Sequence, residues 1–162
     1  ALGLFWHRGG MAFLPAAEEG RNTLDNFRFA GNTWAFNITG KGAWVKEYLV
    51  NGVRIDGTMQ VPEDALAGEN IDVQITRGER TDRRPVLLWA IGMAICQVES
   101  RPDSLAFTAG TRCRAQMAFD CPMQASLSLN GVAVKTEYSP ADHRLWAAFD
   151  VDTGDKIQLN NG

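Results

Sequence analysis

Tryptophan is the residue type with most chemistry to offer in this sequence, which has five in 162 residues. An exposed indole face stacks on sugar rings, while Asn, Asp and Arg side chains hydrogen-bond the hydroxyls. Trp34 and Trp44 stand near Asn32, Asn37 and Lys41, and Trp146 follows Asp142, His143 and Arg144. The candidate ligand-binding residues are therefore Trp34, Trp44, Trp146, Asn37, Asp142 and Arg144. Core packing is the competing role for each tryptophan.

Other chemistry is thinly represented. The chain has no Gly-x-Ser-x-Gly elbow, phosphate-binding loop or His-Glu-x-x-His motif. Asp142-His143 is an arguable acid–base pair, but its Ser-Pro-Ala-Asp-His-Arg setting reads as an exposed loop. Glu63 with Asp142 is an arguable carboxylate pair that nothing selects. Residues 150–155 alternate carboxylates but lack the terminal bidentate Glu of a calcium loop. Cys96, Cys113 and Cys121, with two histidines, lack zinc-site spacing. They read as small buried hydrophobes, with a Cys113–Cys121 disulfide as the alternative. Asn37-Ile38-Thr39 fits a glycosylation sequon. No catalytic residue, metal or cofactor is expected.

The charge balance narrows the partners. A formal charge of -3 makes a poor polyanion binder, so nucleic acid is not expected. The longest apolar run, 86–96, is half of the ~20 residues a membrane span requires, so no membrane partner is expected. No basic-then-apolar leader is visible.

The elements that must position these residues read as short strands. Asn51-Gly52 and Asn130-Gly131 each supply the two positive-φ residues of a tight hairpin. Residues 145–151 and 157–159 flank Asp152-Thr153-Gly154-Asp155, which reads as a further hairpin turn. Helix signals are weak: one turn at 62–66 and another within 15–24.

The two halves resemble each other. Asn51-Gly52-Val53 recurs at 130–132 and Ala30-Gly31 at 109–110, both at an offset of 79. Leu4-Phe5-Trp6 matches 87–89, Gly10-Met11-Ala12 matches 92–94, and residues 68–73 match 154–159 at an offset of 86. The expected architecture is all-β, built of tandem duplicated antiparallel β-sandwich modules packed together. The expected division is a first repeat at 1–77, a linker at 78–85 and a second repeat at 86–162. The chain's ends lie near the repeat edges, so the pair reads as complete. On this alignment Trp6 and Trp89 are core residues. Trp44, Tyr48 and Val50 point inward, while Val45, Glu47 and Leu49 point out or meet the other half.

The run Val50-Asn51-Gly52-Val53-Arg54-Ile55, then Val61-Pro62-Glu63-Asp64, then residues 68–73, resembles the small β-sandwich accessory domains of carbohydrate-active enzymes. Residues 9–15 resemble, more faintly, the segment entering the C-terminal β-domain of α-helical-barrel glycosidases and phosphorylases. The resemblance covers about a third of the chain and transfers no binding residue. It implies a non-catalytic carbohydrate-binding or accessory module whose partners are a polysaccharide or oligosaccharide and a catalytic domain. A secreted or cell-surface location would suit that role. The alternatives are a building block of a surface, tail or capsid assembly, and a small hydrolase with a site between the repeats.

Overall fold

The computed structural model describes residues 3–14 and 21–162. Among them the chain is all-β, with one 3₁₀ turn at Glu63–Ala65 and no α-helix. That turn falls where Pro62 starts one. The other expected helical turn lies partly outside the described residues, and its end enters a strand.

The strands begin with β1 (Leu4–His7) and β2 (Gly10–Phe13). Next come β3 (Asn22–Phe29), β4 (Asn32–Gly40), β5 (Trp44–Val50), β6 (Val53–Arg54) and β7 (Asn70–Gly78). After these follow β8 (Val86–Ile91), β9 (Ile95–Ser100), β10 (Ser104–Ala109), β11 (Cys113–Asp120) and β12 (Ala125–Leu129). The chain closes with β13 (Val132–Ala133), β14 (Glu137–Ser139), β15 (Arg144–Val151) and β16 (Lys156–Asn161).

Two compact units result. The break near Thr81 and Asp82 falls inside the charged Arg-rich segment, but residues 5–13 and 56–63 group with the later unit. Backbone pairing explains the exchange. Leu87 N–H donates to Gly57 and Met59 N–H donates to Leu87, so the extended segment 57–61 runs parallel beside β8. On its other edge Phe13 N–H donates to Met59 and Val61 N–H donates to Met11, which joins β2 and its partner β1.

The first unit is one sheet in the order β3-β4-β7-β5-β6. Its strands are antiparallel except β4 and β7, which run parallel. Period-two alternation buries Trp34, Phe36 and Ile38 of β4, Tyr48 and Val50 of β5, and Ile71, Val73 and Ile75 of β7 on one face. The opposite face carries Asn37, Asp72 and Gln74.

Register shifts at two places in this sheet, between Leu24 and Phe27 of β3 and within β5. The pairing of β5 with β7 shifts between Val45 and Glu47, a bulge that rotates the strand end by one residue. Val45 is therefore buried and Trp44 is not, the reverse of the expected faces, while Tyr48 and Val50 point inward as expected.

The second unit has two sheets. One is β13-β12-β16-β10-β9 and the other β14-β15-β11-β8. Leu105, Phe107, Leu127, Ile157 and Leu159 of the former share a buried cluster with Leu87, Met117, Phe119, Leu145 and Val151 of the latter. Two sheets over one core is a sandwich-like arrangement. The residues 152–155 are not a hairpin turn: β15 pairs in one sheet and β16 in the other, so this turn carries the chain across the core.

The two Asn-Gly hairpins are built alike. Asn51 and Asn130 both take φ 50, as a type I′ turn requires. Asn51 N–H donates to the Asp72 carbonyl and its Oδ1 accepts from Asp72 N–H, both at 2.8 Å. Asn130 makes the same pair with Lys156, again at 2.8 Å. Each asparagine thus locks its hairpin to a neighbouring strand of the same sheet, β7 for Asn51 and β16 for Asn130, a role that needs a short side chain with an acceptor oxygen. Val50 pairs with Val73 and Leu129 with Ile157, so the later match has an offset of 84 rather than 86. The Ala-Gly match does not carry over. Ala30-Gly31 is a two-residue turn with φ 50 and 83, whereas Ala109 ends a strand from which the chain crosses between sheets.

Within the second unit, Gln60 is fully buried and ties three segments together. Its Oε1 accepts from Ala90 N–H at 2.8 Å and His7 Nε2 at 3.1 Å. Its Nε2 donates to the Met93 carbonyl at 2.8 Å and the Gly9 carbonyl at 3.4 Å. His7 Nδ1 accepts from Gly9 N–H at 3.0 Å and Gly92 N–H at 3.4 Å. This network assigns the neutral tautomer with the proton on Nε2. Burial pushes the His7 pKa below its ordinary value, against a smaller upward pull from Gln60. Protonation would also place an Nδ1 proton against two N–H donors.

The unfolded chain therefore binds this proton more readily than the folded one. Stability from this group is complete above the unfolded value of about 6.5 and falls as pH drops from there toward the lowered folded value. Urea midpoints measured at pH 7.5 and 5.5 are expected to decrease with acidity, and His7→Gln to flatten that dependence. An unchanged slope in the variant would assign the effect to other groups.

Candidate functional site

The sequence-selected residues do not converge. Trp34 is buried, donates its indole N–H to the Phe29 carbonyl at 3.3 Å and stacks on Phe36, so it has no face to offer a ligand. Asn37 lies on the opposite face of the same sheet. It accepts from Arg21 Nε at 3.3 Å and donates to Gln74 at 3.0 Å, which continues the ladder to Asp72. Trp44 is partly exposed, but the Arg80 guanidinium sits 4.3 Å from its ring centre.

In the second unit Asp142 accepts a hydrogen bond from Ser139 at 2.9 Å, and His143 takes φ 54 beside it. This is turn chemistry. Arg144 is committed to Asp120 at 2.7 Å. Cys113 and Cys121 are both free thiols. They stand at the two ends of β11, about 27 Å apart along the strand, so no disulfide joins them. Burial raises the Cys113 pKa and keeps the group a thiol. Asp150 and Asp152 pair with Arg114 and Arg112, at 3.6 and 3.1 Å. Asp155 accepts from Asp152 N–H and Asn130 Nδ2, which lowers its pKa. Those carboxylates brace the turn between β15 and β16. No group of three His, Cys, Asp or Glu suited to a metal exists among the described residues.

Trp146 alone stands clear, at 38% exposure. Its surroundings follow from strand register. Ala118 of β11 pairs with Trp146 on β15 and with Trp89 on β8. Glu137 on β14 pairs with Trp146 from the other side. Directly opposed residues share a sheet face, so Glu137, Trp146, Ala118 and Trp89 form one row across the outer face. The two indoles are rooted two strands apart, about 10 Å, with a methyl group as the floor between them. The next row along β11 is Ala148, Gln116 and Ile91.

Apart from the fully buried Ala118, these residues and Lys135 line an open groove of about 490 Å³, within the range typical of ligand sites. Neither indole N–H, nor the side chains of Gln116, Lys135 and Glu137, has a hydrogen-bond or ionic partner among the described residues. The groove therefore combines two flat apolar surfaces with unused donors and acceptors of both charges. It can stack a flat, partly apolar ring and hydrogen-bond its polar edge.

Trp89 was expected in the core, and it is half-buried on the outer face instead. The pairing of β8 with β11 shifts between Ala118 and Phe119, so Leu87 and Leu88 are both buried before Trp89 turns outward. Sequence reasoning also missed Gln116, Lys135 and Glu137. The usable signal was the alternation Arg114, Gln116, Ala118, Asp120 against Ala115, Met117, Phe119, which marks a strand with one apolar and one mixed face. No protein-family model, curated protein or solved structure matches this chain.

Proposed function

We propose that this chain is a non-catalytic carbohydrate-binding or accessory β-module that holds an oligosaccharide or polysaccharide on the outer face of the β14-β15-β11-β8 sheet. The observation carrying this reading is the row Trp146, Ala118, Trp89, with unpartnered Gln116, Glu137 and Lys135 around it. Sugar rings present C–H faces that suit indoles and hydroxyl edges that suit amides and charges. A catalytic domain is the natural partner of such a module, supplying the chemistry that these residues lack.

Titration with a panel of soluble glycans, followed by intrinsic tryptophan fluorescence, tests this reading. Saturable quenching or a spectral shift with at least one glycan is expected, together with protection of Trp146 from an aqueous quencher. No response to any glycan sinks it.

A second reading, a building block of a surface, tail or capsid assembly, draws on Val53 and Val132. They are 63% and 69% exposed on the two-residue strands that edge two sheets. Exposed edge strands are templates for pairing with another chain. Concentration-dependent association in sedimentation would favour it.

A further inference from the structure

We infer that the groove selects uncharged glycans and that Gln116 is the residue that reads their hydroxyls. This rests on the carbohydrate reading above and goes beyond it in naming ligand class and specificity residue.

Charge on the groove-bearing face is internally balanced. On the outer face of β11, Arg114, Gln116, Ala118 and Asp120 follow one another at every second position. Arg114 pairs with Asp150 on the neighbouring strand at 3.6 Å, and Asp120 pairs with Arg144 at 2.7 Å. Two ion pairs, about 20 Å apart along the strand, thus bracket the indole row and Gln116. Lys135 and Glu137 stand two residues apart beside the groove, and their charges also offset each other. An anionic sugar arriving here finds no net positive charge: both arginines are already engaged, and the charge of the unpaired Lys135 is offset by that of Glu137 two residues on. A uronate or sulfate would lose its hydration without gaining a net attraction.

Gln116 is the polar group on the floor. It is exposed and one row from the two indoles, and its side-chain amide has no partner among the described residues. An amide presents a donor and an acceptor side by side. Vicinal hydroxyls on a sugar offer the complementary pair. A ring stacked on Trp146 or Trp89 would bring its hydroxyl edge to the adjacent row, where Gln116 stands.

The test compares binding of a neutral glucan and of its carboxylated counterpart to the full chain, by calorimetry, at low and high NaCl. The wild type is expected to favour the neutral polymer at least tenfold, with less than a twofold change across salt. Gln116→Leu is expected to lose roughly tenfold in affinity for the neutral glucan, while tryptophan quenching persists at saturation. Equal or tighter binding of the acidic polymer, a steep salt dependence, or an unchanged Gln116→Leu affinity would each overturn this inference and leave glycan binding itself standing. Absence of binding to either polymer, with no response across the wider glycan panel, would remove both. Gln116 is exposed, so its replacement leaves the unfolding midpoint unchanged and the affinity readout interpretable.

Discussion

Replacing Gln60 by leucine is expected to destabilise the second unit by about 4 kcal/mol, a large fraction of the 5–15 kcal/mol typical of a folded domain. Leucine nearly matches the volume, so packing is not the main loss. The loss is that Ala90 N–H, the Met93 carbonyl and the His7 Nε2 proton are left without their partner. Unpaired groups in such surroundings cost about 1–3 kcal/mol each. The same site explains why residues 5–13 and 56–63 belong with β8 and the strands that follow. Gly9 contributes as well, because a Cβ there would run into the Met93 carbonyl. Urea unfolding followed by circular dichroism measures the effect. Gln74→Leu, on the exposed polar ladder of the first unit, serves as the control and is expected to change stability by no more than about 0.5 kcal/mol. A loss below about 1 kcal/mol for Gln60→Leu would mean that the three groups find other partners.

The double substitution Trp89→Ala with Trp146→Ala is expected to abolish measurable glycan binding. A stacked indole removes on the order of 80–100 Å² of apolar surface from water, or about 2 kcal/mol. That is a factor of about thirty for each tryptophan. The two indoles are rooted on different strands with Ala118 between them and would meet different parts of a bound glycan, so their effects are expected to add to about a thousandfold. Trp146→Ala alone is expected to lose the smaller factor with little change in stability, since the side chain is already exposed. Trp44→Ala, in the other unit, is expected to leave binding intact. Full affinity in the double variant would move the binding surface elsewhere or remove the carbohydrate reading.

How much of this was legible in advance depends on the length scale of the signal. The hairpins at Asn51 and Asn130 were readable because two adjacent residues carry the whole requirement. An asparagine tolerating positive φ must stand before glycine, and both copies meet that condition at φ 50. The inward positions of Tyr48 and Val50 were readable from the alignment of the two halves. The faces of Trp44 and Trp89 were not. A bulge adds one residue to one strand, and its position depends on the partner strand's register rather than on local composition. Trp44 was placed inward on parity and Trp89 in the core on its match to Trp6, and each stands just beyond such a shift. Of the proposed groove only Trp146 was legible. Its companions come from three other segments, and nothing local to Trp146 points to Trp89, Gln116 or Lys135.

The sequence by itself determined an all-β chain, its two Asn-Gly hairpins and the absence of recognisable catalytic or metal motifs, because composition, turn dipeptides and short spacings are local properties. The tertiary structure alone decided the rest. It drew residues 57–61 into the second unit beside β8, sent β15 and β16 to different sheets, and engaged Arg144 with Asp120 rather than leaving it free. It also set Trp89 opposite Trp146 across one buried alanine. Each of these depends on which strands become neighbours, and strand pairing joins residues that no sequence window contains together.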